Sequence, residues 1–82
     1  MYYVYVIWSK NTGRLYKGCT VDLRKRVSEH NQGKVMSTKN GKPWRVIYYE
    51  AHRTKTLARK TEIFYKTSQG RRQLKKKLGL ED

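Results

Sequence analysis

Tyr2 to Trp8 is an unbroken run of aromatic and β-branched residues, Tyr-Tyr-Val-Tyr-Val-Ile-Trp. Residues of that kind suit a pleated surface, so the run predicts a strand buried on both faces. Ser9 to Gly13 reads as a turn. Leu15 to Thr20 is a second short run, and the two together predict an antiparallel hairpin. From Thr20 to His30 the pattern becomes helical: Leu23 and Val27 are four apart, and His30 is near the same face. Thr20 or Asp22 can cap that helix, and Asn31-Gln32-Gly33 is a stop signal. Lys34 to Pro43 is polar and predicts a basic loop. Trp44 to Glu50 predicts a third strand. Thr54 or Thr56 then caps a second helix, on which Leu57, Ala58, Thr61, Phe64 and Tyr65 share a face. Gly70 is expected to break this helix. Arg71 to Leu78, with Leu74 and Leu78 four apart, is expected to form a short basic helix ended by Gly79.

The expected fold class is α/β in the α+β sense: one three-stranded, mainly antiparallel sheet flanked by helices, in a single domain over 1–82. No repeat, linker or second domain interrupts this order. A chain of 82 residues buries a thin core, and helices layered on one sheet are the natural solution.

Charge changes the picture more than length does. Lys and Arg total 20 against 6 Asp and Glu, a formal net charge of +14. Self-repulsion at that charge opposes compactness, and a polyanionic partner relieves it, because each phosphate neutralised releases condensed counterions. No apolar run has membrane length and no leader pattern is evident, so a cytoplasmic, nucleoid-associated location is expected and a membrane partner is not. The lone Cys19 excludes an intramolecular disulfide, and no Cys/His cluster has zinc spacing. In its short apolar stretch Cys19 reads as a small buried hydrophobe.

Two short segments carry a resemblance. Tyr3-Val4-Tyr5 and, about ten residues later, Tyr16-Lys17-Gly18 resemble the two halves of the GIY-YIG nuclease signature. Thr20, Asp22-Leu23, Arg26, His30-Asn31 and Gly33 resemble the family's following helix. Pro43-Trp44 before the third strand and Ala58-Arg59-Lys60-Thr61-Glu62 on the next helix fit as well. The specificity lies in the ordered set, since Tyr-x-Gly alone is common. The chain looks most similar to small single-domain bacterial members and to the nuclease half of enzymes that cut branched DNA. It departs from the family in having Lys17 at an apolar position, Tyr3 in place of a glycine, and no Asn after Asn40.

The resemblance implies catalytic roles for Tyr5, Tyr16, Arg26, His30 and Glu62. One of the tyrosines would orient or deprotonate the attacking water, which at neutral pH calls for a cation that favours phenolate. Against this stands the ordinary use of strand tyrosines as packing residues with a wet tip. Arg26 would bind the phosphate through its planar fork; its alternative is a surface pair with Asp22, four residues earlier. His30 would donate to phosphate or relay a proton, or else simply favour the negative end of its helix. Glu62 would hold one divalent metal, Mg2+ with Mn2+ as substitute, because a hard cation needs a carboxylate oxygen; its alternative is a helix salt bridge with Lys66. Lys17, Lys34, Lys39, Lys42, Arg45, Arg59, Lys66, Arg71 and Arg72 would track the nucleic-acid backbone.

The function expected on this basis is metal-dependent endonucleolytic hydrolysis of DNA, directed by structure rather than sequence, with a monomer as the default state and RNA as the second candidate substrate. The rival is a nucleic-acid-binding module of the same fold without turnover.

Overall fold

The computed structural model describes residues 1–80. Residues 81–82 of the expected unit lie outside the described residues. The elements run β1 (Tyr2–Ser9), β2 (Leu15–Thr20), α1 (Leu23–Asn31), a short 3-10 helix (Met36–Gly41), β3 (Trp44–His52), α2 (Lys55–Tyr65) and α3 (Ser68–Leu78). The three strands form one antiparallel sheet in the order β2-β1-β3, so the most apolar strand is the central one.

The hairpin closes at Gly13, whose φ of +71° suits a residue without a Cβ. Ser9 clamps the turn, donating its N–H to Arg14 O and accepting from Gly13 N. The register pairs Tyr5 with Gly18 and Ile7 with Tyr16. Side chains alternate along a strand, so Tyr5, Ile7, Tyr16 and Gly18 share one face, and Val4, Val6, Lys17 and Cys19 share the other. Both faces are covered. Val4 and Val6 pack with Ala58, Tyr65 and Leu74 of α2 and α3. Tyr5 and Ile7 pack with Trp44, and Leu23 and Val27 of α1 lie over them. Three layers result, with α1 on one side of the sheet and α2 and α3 on the other.

Asp22 caps α1, its side chain accepting from Lys25 N at 3.0 Å. Thr54 caps α2 by accepting from Leu57 N, and Thr67 caps α3 by accepting from Gly70 N. Three expectations change. The stretch expected as a basic loop contains the 3-10 helix, and its Thr38 and Gly41 are buried. The break between the last two helices falls at Lys66–Thr67 rather than at Gly70, which sits inside the first turn of α3. Gly70 is required there by packing, because a Cβ would run into the Phe64 carbonyl. Finally, the buried stripe of α2 is Ala58, Glu62 and Tyr65, while Leu57 is 51% exposed. Gly79, with φ +71°, ends α3 as expected.

Candidate active site

Tyr5 is the centre around which the other candidate side chains gather. Its ring lies over Gly18 across the hairpin, and a Cβ at Gly18 would collide with the phenol. That contact gives a physical reason for glycine at the third position of the second motif. The phenol oxygen is 2.8 Å from His30 Nε2. Tyr16, diagonal to Tyr5 on the same face, packs edge-on against the His30 ring with centroids 5.1 Å apart. Arg26, one helical turn before His30, lies beside the Tyr5 phenol and forms an ion pair with Glu29 at 3.0 Å. The alternative reading of Arg26, a surface pair with Asp22, is not what forms: Asp22 is engaged as the helix cap, and Glu29 takes the guanidinium.

Burial decides the electrostatics of this cluster. The Tyr5 phenol is pushed up to about 12, first by burial, while the neighbouring Arg26 opposes the shift and Tyr16 and Glu62 add to it. The adjacent cation therefore does not make phenolate the resting form, and Tyr5 keeps its proton at neutral pH. His30 is held below its ordinary value by burial and then by Arg26, so its imidazole is neutral there. The His30 side chain does not open to solvent. It is 0% exposed, and its other nitrogen, Nδ1, is 2.7 Å from Thr38 Oγ1. A direct contact between His30 and phosphate is therefore blocked, and the expectation that it donates to phosphate is not met.

Glu62 arrives from the opposite layer, on α2, yet its charge is felt at the Tyr5 phenol. Only 8% of the residue is exposed. Oε2 accepts from Lys66 Nζ at 3.0 Å, and the Arg59 guanidinium is 3.9 Å from Oε1. Oε1 is buried and has no hydrogen-bond partner. No group of three or more His, Cys, Asp or Glu that could hold a metal occurs among the described residues.

Two clefts flank the cluster. One of about 310 Å³ is lined by Tyr16 with Arg14, Ser37, Asn40 and Trp44, and another of about 450 Å³ by Arg26 with Cys19, Thr20, Lys25 and Glu29. A larger groove of about 670 Å³ between α1 and β3 contains none of the candidate catalytic residues. The basic residues fall in two groups. Lys34, Lys39, Lys42 and Arg45 are exposed around the 3-10 helix and the start of β3. Lys17, Arg59, Lys66, Arg71 and Arg72 lie on the α2–α3 side. There Lys17 is held below its ordinary value by burial and by Arg71, Lys66 and Lys75. Thr38 was not among the sequence candidates; a threonine in a polar stretch carries no signal of a buried partner eight residues away.

The sheet order, the shared face of the two tyrosines and the helix carrying Arg26 and His30 match one known domain. The description "GIY-YIG catalytic domain" matches residues 1–77, and the chain belongs to this family of nucleases, which act on nucleic acid and generally use divalent metals. A UPF0213 protein of Pediococcus acidilactici is 34% identical over 77 residues, covering 90% of this chain and 78% of that one. A UPF0213 protein of Staphylococcus saprophyticus is 36% identical over 75 residues, covering 90% of each. The solution NMR structure of a UPF0213 protein from Bacillus halodurans matches with a TM-score of 0.54 at 31% identity, over 90% of this chain and 82% of that one. No helix among the described residues is long and apolar enough to cross a membrane.

Proposed function

We propose that this chain is a metal-dependent endonuclease that hydrolyses phosphodiester bonds in DNA, with Tyr5, Tyr16, Arg26, His30 and Glu62 as its working residues. The observation that carries the reading is the Glu62 carboxylate: buried in a chain of net charge +14, with one oxygen that has no hydrogen bond and only a distant ion pair to Arg59 at 3.9 Å. A buried acceptor of that kind is costly unless something occupies it. Glu62 Oε1 would hold a hard divalent cation such as Mg2+, with Arg59 3.9 Å away and the Lys66 bond to Oε2 retained. When bound, such an ion supplies charge stabilisation at the phosphate and the leaving oxygen.

The chain's own residues account for the proton. Water attacks phosphorus as the P–O bond to the leaving oxygen breaks; one water proton passes to the Tyr5 oxygen as the Tyr5 phenolic proton moves to His30 Nε2 over the 2.8 Å bond, and the leaving oxygen takes its proton from solvent. The imidazole is neutral and free to accept it. Arg26, already beside the phenol, faces the charge that develops on the phosphate, and Tyr16 fixes the water from the neighbouring register position. The basic residues on both sides of the site hold the strand by its phosphates.

The test is incubation with single-stranded, duplex and branched DNA, and with RNA, each with and without Mg2+ or Mn2+. Cleavage of DNA that requires added metal is the expected result; equal cleavage in chelator rejects the metal role. The competing reading, a binding module without turnover, is favoured by the Lys66–Glu62 ion pair, which satisfies half of the carboxylate within the protein. It predicts binding of the same DNAs with no product under any of these conditions.

A further inference from the structure

We propose that Thr38 is a positioning residue that fixes the tautomer of His30, keeping the proton on Nδ1 so that Nε2 presents a lone pair to Tyr5. The inference rests on the reading of Tyr5 and His30 as the proton-accepting pair. A neutral imidazole carries one N–H and one acceptor, and which nitrogen is which is set by the group bound at the far side. Here the far side is Thr38 Oγ1, 2.7 Å from Nδ1. Thr38 is 1% exposed, so no solvent competes for its hydroxyl. The hydroxyl has its own acceptor in the Val35 carbonyl at 3.4 Å, one turn back, which leaves its lone pairs to accept from Nδ1–H. The opposite tautomer would place an N–H against the Tyr5 oxygen and leave the phenolic proton with nowhere to go.

The placement of Thr38 is itself built. Asn31, the residue after His30, holds both backbone groups of Trp44: its Oδ1 accepts from Trp44 N at 2.6 Å and its Nδ2 donates to Trp44 O at 3.1 Å. The Trp44 indole N–H donates to Thr38 O at 2.8 Å. Thr38 Oγ1 then returns to His30. The chain of contacts thus closes on itself, and the 3-10 helix is held at Thr38, whose hydroxyl meets the imidazole. The Trp44 ring leaves no room for a side chain at Gly41, and Ser9 Oγ donates to Gly41 O, so the same segment is pinned to the hairpin as well.

Nitrogen-15 NMR of the two histidines at neutral pH tests this without any need for activity, alongside cleavage kinetics on the DNA that the wild type cuts. The wild type is expected to show His30 protonated at Nδ1. T38V removes the acceptor and is expected to shift His30 toward the Nε2–H form, whereas T38S retains the wild-type signature. In kinetics, T38V is expected to lose about a hundredfold in kcat, the scale of general-base assistance, with KM for DNA unchanged and T38S restoring the rate. T38A removes the same acceptor without adding bulk and serves if T38V does not fold. A wild-type His30 protonated at Nε2 overturns the proposal, as does a tautomer unchanged in T38V and T38A. If the tautomer responds as expected but the wild type cuts no nucleic acid, the assignment to Thr38 stands and the nuclease reading fails.

Discussion

Tyr5 Oη and His30 Nε2 lie 2.8 Å apart, and neither residue is more than 1% exposed. A phenol and an imidazole buried together serve as each other's hydrogen-bond partner, so the stability of each depends on the other.

Tyr5→Phe leaves the buried His30 Nε2 without its hydrogen-bond partner. An orphaned buried group of this kind costs about 1–3 kcal/mol, so the thermal midpoint falls. Cleavage falls by about 10²–10⁴, while DNA binding in a gel shift stays near wild type. A mutant that cuts at the wild-type rate removes Tyr5 from the mechanism.

Glu62→Gln keeps the shape of the side chain and the acceptor for Lys66 but removes the charge. Cleavage is expected to fall by orders of magnitude, because an amide oxygen is a weak ligand for a hard cation. Binding holds or tightens, since a negative charge near phosphate is gone. Glu62 is buried while Lys66 is half exposed, so the lost pair costs about 1 kcal/mol. Activity measured across a magnesium titration, set beside urea denaturation, separates the two effects.

Stability is expected to fall on both sides of neutrality. The folded pKa of His30 lies below its ordinary value of 6.5, so the unfolded chain takes up that proton first. The stability from this group is complete above 6.5 and is lost as pH falls through the lower folded value. Tyr5, Tyr48 and Tyr65 are raised from 10.0 to about 12, each chiefly by burial. Their contribution is complete below pH 10 and is lost as pH rises toward 12. Denaturation midpoints across pH, compared between wild type, Tyr5→Phe and His30→Gln, check both limbs. The first mutant should flatten the alkaline slope and the second the acid slope.

Gly70→Ala reverses an ordinary rule. Alanine favours a helix over glycine by about 1 kcal/mol, so propensity alone predicts stabilisation. At Gly70 the added Cβ meets the Phe64 carbonyl, which is backbone and cannot swing aside. The mutant is expected to lose about 1–3 kcal/mol, read as a lower urea midpoint.

The strands and the sheet were legible because each is tied to a local period, and Tyr5, Tyr16, Arg26 and Glu62 were singled out only by the resemblance to a family's ordered set of short motifs. The same-face placement of the two tyrosines was not legible, because it depends on the cross-strand register that pairs Tyr5 with Gly18 and Ile7 with Tyr16, and no spacing within one strand sets that register. Glu62 was legible as a residue but not as a buried one, because an apolar stripe drawn through Leu57 passes beside it. Thr38 was not legible at all. Its role depends on Trp44 and Asn31 folding the polar segment back onto α1, a long-range contact with no periodic trace. Gly70 misled for a related reason: a glycine that breaks a helix and one that admits a neighbouring carbonyl look alike until the neighbour is placed.

β1 is paired along both edges and covered on both faces, and it carries Tyr5. Amides in such a strand open only when the whole domain opens. Heat inactivation is then unfolding itself rather than an earlier loosening of the site. Residual activity and circular dichroism should trace one curve against temperature, and amide exchange at Tyr5 should be among the slowest in the chain. The working lifetime of the site becomes a property of the fold, and stabilising substitutions far from Tyr5 should extend it.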